Sequence, residues 1–192
     1  MVTVPAFVWR GGYFRRAMIL GGGVGLMLAV MSWIDSGMLL AAIIGFVVIG
    51  LIYAIWLPRR MARYWPGAEQ LSGEDRVTVV RTARGGERTV DALLAQPVID
   101  YSVGMRKAAE QARAFRWVLP LVLVVAVALT AWDAVNGSWG NAIASFIYLV
   151  ALSVEMFWWP KRRDELLANG GRAAEAARVI LAEQGTNPAA QA

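Results

Sequence analysis

Apolar residues fall along this chain in four long runs, Ala17–Ile34, Met38–Leu57, Trp117–Trp132 and Asn141–Trp159, of 18, 20, 16 and 19 residues. A helix rises about 1.5 Å per residue, so each run reaches roughly 24–30 Å, the scale of a bilayer's hydrocarbon core. In lipid such a run must satisfy its backbone internally, which makes it helical. The third run is the shortest and needs local thinning or a helical extension past its ends. The pattern predicts an all-α integral membrane protein with four transmembrane helices, arranged as two hairpins around a helical cytoplasmic loop. The expected segments are a cytoplasmic N-terminus (1–16), a first hairpin (17–57), the loop (58–116), a second hairpin (117–159) and a cytoplasmic tail (160–192). Arg10, Arg15 and Arg16 precede the first run as they would precede a signal-peptide core. The run is too long for one, however, and a second run starts three residues later, so a hairpin is the reading.

Between the hairpins the period changes. Ser72 stands three residues before Asp75, a capping-box spacing that predicts a helix over Gly73–Arg84, ended by Gly85-Gly86. Pro97 suits the first turn of a second helix. In it Val98, Tyr101, Met105, Ala108, Ala112 and Phe115 recur at spacings of 3, 4, 3, 4 and 3, which is an a/d seam. Asp100, Arg106, Lys107, Glu110 and Arg113 take the opposite face. Nothing punctuates the chain before Trp117, so this helix is expected to continue into the third run, with Pro120 as a kink. The seam has two readings: Val77, Val80 and Ala83 of the preceding helix cover it, or it pairs with a second copy or a partner protein. Beyond Lys161, Asn169-Gly170-Gly171 predicts a break before a short helix over Arg172–Gln184.

Charge gives the orientation. The chain has seventeen Arg and two Lys. Three of these precede the first run, eleven lie between Pro58 and Arg116, and five follow Trp159. The bends at Asp35–Gly37 and Asp133–Gly140 carry none. Basic residues stay on the cytoplasmic face, so a multi-pass bacterial plasma-membrane protein with both termini inside is expected. The net charge of +5 follows from this asymmetry and suits anionic headgroups rather than nucleic acid. The halves also echo each other: Trp56-Leu-Pro-Arg-Arg60 against Trp158-Trp-Pro-Lys-Arg-Arg163, and Trp33-Ile-Asp35 against Trp132-Asp133. A duplicated hairpin and the shared demands of membrane interfaces both account for this.

Composition removes most chemistry. There is no Cys and no His, hence no thiolate, no disulfide, no Cys- or His-based metal site and no imidazole base. No catalytic, cofactor-binding or metal-ligating residue is expected. Glu155 is the single ionisable residue inside a run. A carboxylate in hydrocarbon is a candidate for ion coupling by default. Lying four residues before Trp159, it also suits pairing with the interfacial Lys161–Arg163. Asp35 and Asp133 read as turn residues or as an external cation-attracting pair. Gly21 with Gly25, and Ala41 with Gly45, have the small-xxx-small spacing that lets helix backbones approach, within one chain or between copies.

The stretch Leu71-Ser-Gly-Glu-Asp-Arg-Val-Thr-Val-Val-Arg-Thr-Ala-Arg-Gly-Gly-Glu-Arg, continuing to Pro97-Val-Ile-Asp-Tyr101, resembles one in small uncharacterised four-span membrane proteins of high-GC actinobacteria. The resemblance covers the loop and the hairpin–loop–hairpin layout. It implies a plasma-membrane protein and brings no functional residue with it. The expectation is a non-catalytic accessory or scaffold protein that engages itself or a membrane-protein partner through its cytoplasmic helices. The alternative is a small oligomeric transporter or channel with Glu155 as its coupling residue.

Overall fold

The computed structural model describes residues 4–89, 91–114, 117–136 and 139–186. Among them every regular element is a helix: α1 (Tyr13–Ser36), α2 (Leu39–Tyr64), α3 (Gly73–Gly85), α4 (Ala95–Arg113), α5 (Val118–Asn136), α6 (Trp139–Phe157) and α7 (Trp159–Thr186). Short 3-10 turns lie at Ala6–Arg10, Pro66–Gln70 and Ala92–Leu94. The chain divides into two compact units. One comprises Met1–Tyr13, Arg59–Gln111 and Arg162–Ala192, and the other Phe14–Pro58 and Ala112–Lys161.

The first unit joins three stretches that are far apart in sequence. Its centre is an aromatic trio. Trp9, Trp65 and Tyr101 are fully buried, with ring centroids 5.0–5.8 Å apart and the rings tilted or edge-on, the arrangement that ring quadrupoles favour. Val79, Val80, Ala83, Met61 and Met105 complete the core. α3 begins as its cap predicts: the Asp75 amide donates to Ser72 Oγ at 3.2 Å, and the Ser72 hydroxyl donates to the Asp75 carboxylate at 2.7 Å. It ends at Gly86, whose φ of 73° is left-handed and whose amide returns to Thr82 O.

The second unit holds the apolar helices. By length and composition α1 and α2 are each able to cross a membrane, and α5 contributes the shorter apolar stretch Pro120–Trp132. Large side chains such as Leu26, Met27, Ile43, Ile44, Leu51 and Ile52 face outward. α1 meets α2 through small residues instead. A Cβ built on Gly21 would lie 2.5 Å from both Gly50 O and Ala54 Cβ, and one on Gly25 would lie 2.9 Å from Phe46 O. The pair Gly21 and Gly25 therefore packs within the chain, against Gly50 and Ala54. Gly45 has open space beside it and takes no part. α5 and α6 pack along each other. Thr130, facing that seam, donates to Ala126 O at 2.8 Å in its own helix.

Two local expectations, around Pro120 and at Asn169-Gly170-Gly171, give way to tertiary structure. Before them, α2 runs past the end of its apolar run at Leu57, through Pro58, to Tyr64. Pro58 has no N–H to return to the Ala54 carbonyl, and the division between the two units falls immediately after it. α4 and α5 are two helices, not one, since Ala114 and Trp117 lie in turns. Pro120 gives the reason, because its ring would collide with the carbonyl of residue 116 in a continuing helix yet fits a first turn. α7, in contrast, passes straight through Asn169-Gly170-Gly171, where a break is expected.

Those three residues are where α7 docks. Asn169 Nδ2 donates to Arg84 O at 2.7 Å, satisfying a carbonyl in the last turn of α3. A Cβ on Gly170 would lie 2.5 Å from Met105 Cε and 3.6 Å from Ser102 Oγ of α4. One on Gly171 would lie 2.5 Å from the Arg106 guanidinium. With Leu166, Ala173, Ala174 and Ala177 also buried, one small-residue face of α7 covers the unit's core. The glycines serve close approach, at the helix-propensity cost of about 1 kcal/mol each relative to Ala.

Candidate functional site

The a/d seam of α4 points inward. Val98, Tyr101 and Met105 are wholly buried and Ala108 almost so, while Ala112 is half-buried. Phe115 lies outside the described residues. Tyr101 sits against Trp9 and Trp65, and Met105 reaches Gly170 of α7. The cover thus includes the N-terminal strap and the tail as well as the apolar face of α3, whose Val77, Val80 and Ala83 are buried as expected.

The strap is fastened by α3. The Arg76 guanidinium donates to Gly11 O at 3.2 Å, to Trp9 O at 3.5 Å and to Leu71 O at 3.1 Å. Arg10 pairs with Glu74, and a Cβ on Gly73 would lie 2.5 Å from Arg10 O. Sequence reasoning missed Trp9 and Arg76 as a set. The strap is a five-residue 3-10 turn, too short for any period, and its partners lie more than fifty residues away.

Burial raises the Tyr101 phenol above its ordinary value of 10.0, and the Arg84 guanidinium beside it opposes this by favouring the phenolate. The neutral hydroxyl is therefore the form present at physiological pH. It is enclosed by rings and holds no position from which to act on a substrate.

With its inner face occupied, α4 presents the opposite one. Gln96, Asp100, Val103, Lys107 and Glu110 are exposed and recur at spacings of 4, 3, 4 and 3. Gln96 Nε2 donates to Asp100 Oδ1 at 2.8 Å along this stripe. The stripe mixes both signs of charge around a single aliphatic residue, the composition of a solvated helix face.

The remaining candidates lie on the apolar helices. Glu155 belongs to α6, two residues before its end at Phe157. Its side chain, like those of Asp35 and Asp133, lies outside the described residues. Among the described residues no three acidic side chains converge in a way that would hold a metal ion. Comparison of the chain with protein-family models, with curated proteins and with solved structures finds no match.

Proposed function

We propose that the chain is a four-span membrane protein whose N-terminus, central segment and tail share the cytoplasmic side, and that it acts as a non-catalytic accessory or scaffold protein. The observation that carries this is the composition of the first unit's core. Trp9 precedes α1, Trp65 and Tyr101 lie between α2 and α5, and Gly170 follows α6, yet all belong to one unit. A core drawn from these three stretches requires them on one side of any membrane, so each intervening helix pair must leave and return. The positive-inside bias names that side as the cytoplasm.

The scaffold role rests on the contrast between the two faces of α4. The apolar seam is consumed internally, so a partner would meet the outward stripe from Gln96 to Glu110. Purifying the tagged protein from its native membrane in mild detergent, with mass spectrometry of the complex, tests the role. A stoichiometric partner lost in Val103→Asp with Lys107→Glu supports it. A homo-oligomer without a partner, together with a cation-coupled activity abolished by Glu155→Gln, would replace it with transport.

Topology has its own test, made clean by the absence of native Cys. Ser36→Cys and Asn136→Cys should react with a membrane-impermeant maleimide in intact cells. Thr78→Cys and Ala182→Cys should react only after lysis. Labelling of either inner position in intact cells would overturn the arrangement.

A further inference from the structure

Two copies of one short pattern, a Trp–Pro–basic run, occur in the chain, and the structure treats them differently. At the start of α7 the basic residues are neutralised locally: Arg162 donates to Glu165 at 3.1 Å, and Arg163 Nε lies 3.5 Å from the Asp164 carboxylate. At the end of α2 there is nothing of the kind. α2 contains no Asp or Glu at all, and the next acid along the chain is Glu69. Arg59 and Arg63 are exposed, stand four residues apart on one face, and have no ion-pair partner among the described residues. Like charges at this spacing repel and destabilise a helix by some tenths of a kcal/mol. The carbonyl end of α2 offsets this for Arg63, but that effect fades within one turn and does not reach Arg59.

The two side chains are nonetheless held on a firm support. Met61 and Trp65, on the opposite side of the same turns, are buried in the core of the first unit. Tyr64 is tied to Gln111, and the Arg60 guanidinium lies 5.8 Å from the Tyr64 ring. Two guanidinium groups one turn apart on the exposed face of an anchored helix offer paired N–H donors to a single phosphodiester.

We propose that Arg59 and Arg63 form a headgroup site for an anionic phospholipid. The assignment rests on the membrane reading given above. The phosphodiester accepts from the two guanidinium groups and removes the repulsion between them. The tail cluster has no such site, because Asp164 and Glu165 already take its donors.

Native mass spectrometry of the full chain, titrated with phosphatidylglycerol in mild detergent, reads the site directly. Arg59→Gln with Arg63→Gln should weaken retention of the lipid by about thirtyfold. Arg59→Lys with Arg63→Lys, which keeps the charge, should restore most of it. Arg162→Gln with Arg163→Gln should change retention by less than about threefold, since both are already paired. Equal losses from the α2 and α7 variants would reduce the effect to general basic charge and overturn the site, as would no loss from the α2 pair. Inorganic phosphate or glycerol phosphate that binds the wild type and displaces the lipid would overturn the lipid assignment in favour of a soluble phosphate ligand. Failure of the membrane reading itself would show elsewhere, as poor insertion into nanodiscs of phosphatidylcholine alone.

Discussion

In the unit built from Met1–Tyr13, Arg59–Gln111 and Arg162–Ala192, the core is centred on large side chains, Trp9, Trp65, Tyr101, Met61 and Met105, and a small-residue face of α7 closes over them. In the unit of Phe14–Pro58 and Ala112–Lys161, the contact between α1 and α2 is made by Gly21, Gly25, Gly50 and Ala54, and the large side chains of the same helices face out. Each pattern suits a different solvent. Water drives aromatic and sulfur-bearing side chains together because removing their surface is favourable. Hydrocarbon offers no such drive, so helices gain by close backbone approach at small residues. One chain therefore carries two packing rules, and substitutions of similar size should have very different consequences in the two units.

The sharpest way to break the comparison is at Trp9. Trp9→Ala should cost the first unit about 3–5 kcal/mol, with loss of the strap and rapid proteolysis near α3, while the packing of α1 on α2 is unchanged. Unchanged thermal unfolding would mean that the aromatic trio is not the core it looks to be. Next comes Gly21→Val, whose added methyls meet the Gly50 carbonyl and Ala54 and should cost about 1–3 kcal/mol as the hairpin is forced apart. Gly23→Val meets only open space and should stay within about 0.5 kcal/mol. Unfolding in detergent should separate the two, and equal effects would remove the distinction between glycine seam and glycine surface. Ser72→Ala takes away the α3 cap and should cost about 1 kcal/mol, read as a lower midpoint for the first unit alone.

The smallest effect at neutral pH is that of Tyr101→Phe, since the phenol is already uncharged there. Its folded pKa is raised, so the native state keeps this proton at a pH where the unfolded chain has lost it. The contribution is fully present below the unfolded value of about 10 and is lost as pH rises through the folded one. Wild-type stability should fall above pH 10 more steeply than that of Tyr101→Phe. Parallel curves would place no buried, titrating phenol in the core.

What could be read from residues in order was what is settled locally. The Ser72 cap and the Gly86 terminus depend on neighbours within a turn or two, and both stand as expected; the periodicity of Val98, Tyr101 and Met105 was legible too, but which of its two readings holds was not. Asn169-Gly170-Gly171 misleads for the opposite reason. Its turn chemistry is genuine, but Arg84 O, Met105 and Arg106 lie sixty or more residues away and decide the matter. Trp9 left no distinct trace, standing among Phe7, Tyr13 and Phe14 in a lead that is already rich in apolar residues. The contrast between the two basic clusters was legible locally, since Asp164 and Glu165 directly follow Arg162 and Arg163 while α2 holds no acid; that no distant acid among the described residues reaches Arg59 or Arg63 needed the structure.

The way the first unit is closed also sets an order in time. Tyr101 is made some 70 residues before Gly170, on the order of several seconds at usual elongation rates. Through that interval Tyr101 and Met105 wait without their full cover. A copy cut between α4 and α7 would display an apolar seam that the intact unit hides.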